Sequence, residues 1–130
     1  MTTTLITIDG LHAIRLLREV VAEHGPDTMY ESPFGDGECV YEHDGKPSCL
    51  IGHALHRAGV TIEQLRLMDD HAMDTGKGIG EVELPINLVI DDRARWVFAD
   101  AQWKQDACGR TWGQALAAAE HKAELLAVTA

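Results

Sequence analysis

After Asp9 the apolar positions recur at helical spacing: Leu11, Ile14, Leu17 and Val21 make one stripe, which Ala13, Leu16 and Val20 widen. A first helix is predicted there, with Asp9 as its N-cap and Gly25-Pro26 as its stop. The preceding residues, 2–8, are Thr-rich and β-branched, a strand candidate. Between 26 and 38 the periodicity disappears into two prolines, two glycines and four acids, the composition of a surface loop.

Asp44-Gly45 favours the positive φ angles of a tight reversal, so a small hairpin is predicted near residues 39–50. Ser48 is expected to cap a helix over 49–58 that Gly59 ends. Thr61-Ile62-Glu63-Gln64 then reads as a capping box, with Val60 and Leu65 placed to staple it, and that helix runs to about Met73. Gly76-Lys77-Gly78-Ile79-Gly80 opens a flexible segment that lasts through Pro85.

From 91 to 108 a further helix is expected, carrying Ala94, Val97, Ala101 and Cys108 on one side and Trp96 and Trp103, seven residues apart, on another. The second side has two readings, core or the seam of a homodimer. A second capping box, Thr111-Trp112-Gly113-Gln114, starts a final helix that buries Trp112, Ala115, Leu116, Ala119, Ala123 and Leu126. The fold class is therefore mainly α with minor β. About five helices form a compact bundle with one short hairpin and an N-terminal strand candidate, in a single domain spanning 1–130.

Charge narrows the function classes. With 21 Asp and Glu against 11 Lys and Arg, the net charge of −10 argues against direct nucleic-acid binding, which draws its affinity from cations displacing phosphate counterions. No long apolar run and no basic leader at Met1 point to a membrane or a secretory route, so a cytoplasmic setting is expected. Three cysteines cannot all pair within one chain, which fits a reducing compartment. From Glu19 to Gly45 there are eight carboxylates and no Lys or Arg, and from Asp69 to Asp92 Lys77 is the single counterweight. Such a field favours encounter with a basic or nucleic-acid-binding protein partner.

Two constellations carry candidate chemistry. Cys49, His53 and His56 share one side of their predicted helix, and with Cys39 they have the donor set of a tetrahedral zinc site. Nine residues separate the two cysteines, however, where zinc knuckles place two to four, so thiols filling core gaps are the stronger reading and no cofactor is required. His43-Asp44, and Asp69-Asp70-His71 with Asp74, supply the residue types of a metal-dependent hydrolase. Neither gathers enough convergent ligands, and an enzyme is the less favoured class.

Cys49-Leu50-Ile51-Gly52-His53-Ala54-Leu55 before Gly59-Val60, and Ala101-Gln102-Trp103-Lys104-Gln105-Asp106 before Gly109-Arg110-Thr111-Trp112-Gly113-Gln114-Ala115-Leu116, resemble segments of small actinobacterial and actinophage proteins of unestablished function. The resemblance implies a compact helical domain and a phage or prophage origin, hence a host cytoplasm, and brings no catalytic residue with it. The expected function is that of an acidic interaction module, a phage-type accessory or host-modulating protein that binds a host protein. Its contact residues would be Met29, Tyr30, Glu31, Phe34, Asp36 and Glu38, where aromatic anchors sit inside a charged rim. The alternatives are a structural zinc domain using Cys39, Cys49, His53 and His56, and a small metal-dependent hydrolase.

Overall fold

The computed structural model describes residues 4–33 and 40–127. The chain is mainly α with minor β, with five helices and two small two-stranded sheets among the described residues. Strand β1 (Ile6–Ile8) leads through Asp9, whose carboxylate accepts from the His12 backbone N–H at 2.8 Å, into helix α1 (Gly10–His24). After the loop, β2 (Glu42–His43) and β3 (Lys46–Pro47) form the predicted hairpin. Asp44 at φ 52° and Gly45 at φ 75° make its reversal, the paired positive angles that Asp-Gly accepts at low cost.

Helices α2 (Leu50–Arg57) and α3 (Ile62–Thr75) follow, then strand β4 (Leu88–Ile90), α4 (Asp92–Asp106) and α5 (Trp112–Leu125). Both expected capping boxes are formed, Thr61 with Gln64 and Thr111 with Gln114. The cap of α2 differs from expectation. Cys49 rather than Ser48 takes the N-cap, its thiol accepting from the Gly52 N–H, while the Ser48 and Cys49 backbone N–H groups donate to Tyr41 and Val40.

Strand β4 was not expected. It pairs in parallel with β1, Ile6 opposite Leu88 and Ile8 opposite Ile90, and it repeats the local design of β1: a short β-branched strand, an Asp N-cap, a helix. Parallel strands need a long crossover, and here α1 to α3 supply it. The two helices that leave this strand pair, α1 and α4, pack together and against α5, while α2 packs against both α1 and α4.

The core sits among these helices, with Leu17, Leu50, Ile51, Leu55, Leu65 and Phe98 fully buried. Each such side chain contributes roughly 1.5–3 kcal/mol by leaving water. Helix α2 comes so close to the hairpin that a Cβ on Gly52 would lie 2.1 Å from the Tyr41 carbonyl oxygen, so glycine is required there by space alone.

The segment after α3 is anchored, contrary to the flexible connection expected. Ile79 and Val82 are fully buried, the Arg95 guanidinium donates to both of their carbonyls, and Gln102 accepts from the Ile79 N–H at 2.8 Å. The burial pattern dominates the local glycine content because two apolar side chains fix the loop against α4.

Candidate interaction groove

Helix α4 has two apolar sides with different fates. Ala94, Val97, Phe98, Ala101 and Gln105 are buried. Trp96 and Trp103, two turns apart and thus ~10.5 Å along the axis, are 57% and 64% exposed. They are neither core nor, in the isolated chain, covered.

Both indoles line a groove of about 770 Å³ between α4, the last turn of α3 and the 76–81 loop. That size lies within the range of roughly 300–1,000 Å³ typical of ligand pockets. Met73, 73% exposed, stands on the α3 wall. The floor is polar and fixed: Gln102 donates to the Tyr41 hydroxyl at 3.2 Å while it accepts from Ile79. A Cβ on Gly78 would lie 2.7 Å from the Gln102 carboxamide oxygen, so a side chain there would push that amide out of place.

At the inner end, buried Asp69 accepts from the Tyr41 N–H at 2.7 Å and the Glu42 N–H at 3.1 Å, which ties the hairpin to α3. Burial raises its pKa from 3.8 to about 6, against the opposing pull of those two hydrogen bonds.

The expected contact loop lies elsewhere. Met29, Tyr30 and Glu31 line a second hollow of about 520 Å³, between the end of α1's following loop and the hairpin, with Trp112 at its base. Met29 and Glu31 are exposed, whereas Tyr30 is half-buried. The Tyr30 hydroxyl lies 3.2 Å from the Ser48 hydroxyl and accepts from the Val40 N–H, so this ring braces the loop against the hairpin. Phe34, Asp36 and Glu38 lie outside the described residues.

The candidate metal ligands meet different partners. Cys49 is fully buried with its sulfur engaged at the N-cap, and Cys39 lies outside the described residues. His56 Nδ1 is 2.9 Å from the Val60 carbonyl oxygen, which requires the proton on that nitrogen. His53 packs with His24 and Trp112, at centroid separations of 4.5 and 5.5 Å. Desolvation, then the neighbouring His24 and His56, lower its pKa from 6.5 to about 4, so the ring is neutral at pH 7. Among the described residues no group of three or more His, Cys, Asp or Glu stands in an arrangement that would hold a metal ion.

The remaining candidates act locally. His43 lies 3.5 Å from Asp44 at the hairpin turn. His71 accepts from the Glu83 N–H through Nδ1, leaving Nε2 to face the Glu83 carboxylate at 3.4 Å, a link between α3 and the following loop. Among the described residues, no helix is long and apolar enough to cross a membrane.

Met73, Gln102 and Gly78 belong to the groove, a role the sequence did not reveal: Met73 read as a helix end and Gly78 as part of a flexible connection. The available signal was the pair of tryptophans on the side of α4 away from Ala94, Val97 and Ala101. What it lacked was the position of the 76–81 loop, which only tertiary contacts fix. Compared with family models, curated proteins and solved structures, the chain matches none of them, in keeping with its resemblance to proteins whose function is not established.

Proposed function

We propose that this protein is a small acidic interaction module, a phage-type accessory protein acting in a host cytoplasm, and that it binds a protein partner through the Trp96–Trp103 groove. One observation carries the reading: two tryptophans, each more than half exposed, line one groove whose floor is held by internal hydrogen bonds. Tryptophan is the residue most enriched among binding hot spots, because one rigid ring covers a large area with little entropy to lose. Left in water, such a patch is unfavourable, and covering it recovers that free energy. The pinned floor removes part of the ordering cost of association.

The groove is preferred to the Met29–Glu31 region because the Tyr30 ring there is half-buried and braces the loop, whereas Trp96 and Trp103 are each more than half exposed. The test is an affinity capture from extract of the cells that make the protein, with wild-type chain and the Trp96→Ala/Trp103→Ala double variant immobilised side by side. A stoichiometric partner retained by the wild type and absent from the variant is expected. A partner held equally by both, or by neither, rejects the groove as the contact face.

A further inference from the structure

The groove is electrically lopsided. Helices α3 and α4 both end at it, since Gly76 and Ala107, the residues that follow their last turns, are among its lining. A helix C-terminus carries about half a negative charge on its unpaired carbonyls. Helix α4 carries Lys104 in its last turn to offset this, whereas α3 has no basic residue there and Asp74 stands instead. The groove's lining adds Asp69, Glu81 and Asp106 against one base, Lys77. Asp106 is the last residue of α4, three positions beyond Trp103, so carboxylate and indole lie on the same side of the helix.

An indole face beside a carboxylate and the uncompensated C-terminus of α3 is a site for a cation with an apolar stem. The ring quadrupole attracts an ammonium or guanidinium, best of all at tryptophan, and the carboxylate accepts its hydrogen bonds. The mixed apolar and acidic lining suits Arg and Lys, whose methylene stems pack on rings while their heads reach charge. A second copy of this chain is a poorer occupant, because each copy brings a net charge of −10.

Resting on the interaction reading above, we infer that the groove's occupant is a cationic peptide segment of another protein, with an Arg or Lys over Trp103 beside Asp106 and apolar side chains against Trp96 and Met73.

The experiment uses three amphipathic peptides with the same leucines and with Arg, Gln or Glu at every polar position, titrated into the full chain and followed by calorimetry and indole fluorescence. The Arg peptide is expected to bind, to lose at least about tenfold in affinity on Trp103→Ala, as for a hot-spot residue, and to bind several-fold less tightly to Asp106→Asn. Its affinity is also expected to fall with added salt, and the Glu peptide is expected not to bind. Thermal melts of both variants near wild type exclude misfolding as the cause.

If the Gln and Glu peptides bind as well as the Arg peptide with the same dependence on Trp103, the groove reading survives and the cationic assignment falls. Arg-peptide binding that ignores both Trp103→Ala and Asp106→Asn overturns both readings. No binding by any peptide overturns the cationic assignment. Sedimentation showing a dimer that Trp103→Ala dissociates makes the second copy the occupant and overturns it likewise.

Discussion

Two regions of the molecule use tryptophan in opposite ways. At the start of α5, Trp112 is 3% exposed and meets the rings of His24 and His53 nearly edge-on, at 5.3 and 5.5 Å. Its backbone N–H donates to Thr28, and Gly113 beside it donates to Pro26, so this ring seals the chain that leaves α1 against the last helix. Its indole Nε1 is buried without a hydrogen-bond partner among the described residues. Trp96 and Trp103 on α4 have the same side chain and serve no such closure. One setting converts indole area into stability, and the other leaves it in water.

The sharpest break in that contrast comes from Trp112→Ala. Removing a buried ring costs the transfer term and leaves a cavity, so a loss of ~3–5 kcal/mol is expected in urea unfolding. A loss below ~1 kcal/mol, the level of an ordinary surface substitution, would show that the ring is not a sealing element.

A smaller effect is expected from pH, and it separates the two regions by sign. His53, near Trp112, has a native pKa of about 4 against 6.5 when unfolded. As pH falls between those values the unfolded chain takes up a proton that the native ring refuses, so stability declines. Asp69, at the groove, has a native pKa of about 6 against 3.8. Over that window the native carboxyl keeps a proton that the unfolded one releases, so its contribution is present at low pH and is lost as pH rises through about 6. The two slopes oppose each other in the wild type. Denaturation midpoints from pH 4 to 7 are expected to show a flatter acid decline in His53→Phe and a steeper one in Asp69→Asn, and the reverse order would contradict both environments.

The least effect is expected for Trp96→Ala and Trp103→Ala on stability, within ~0.5 kcal/mol each, as for surface positions outside any buried network. A change above ~2 kcal/mol in either melting series would place that ring in the fold's packing and remove it from the binding face.

Much of the fold was legible because its signals are local. The stripe of α1, the two capping boxes and the Asp-Gly reversal each depend on residues within a few positions of one another. Strand β4 was missed, although Leu88-Val89-Ile90 before Asp91 has the same form as Ile6-Thr7-Ile8 before Asp9. Three residues are too short for a period to register, and the strand exists only because a distant partner pairs with it.

The groove was half legible for a similar reason. The helical spacing of Trp96 and Trp103 placed them away from the aliphatic side of α4, but which of the two sides meets the core is decided by α1, α5 and the buried Ile79 and Val82. The role of Asp69 was hidden because a carboxylate that accepts from two backbone N–H groups of a hairpin leaves no trace in its own neighbourhood of the chain.

The pairing of Ile6–Ile8 with Leu88–Ile90 joins positions some eighty residues apart, and closing so large a loop is entropically slow compared with forming any of the helices. During synthesis the amino-terminal strand must wait until the fourth helix begins to leave the ribosome before its ladder can form. Helices α1 and α2 would meet first, and the final annealing of both chain halves would come late, so refolding should follow the appearance of this long-range ladder rather than helix content.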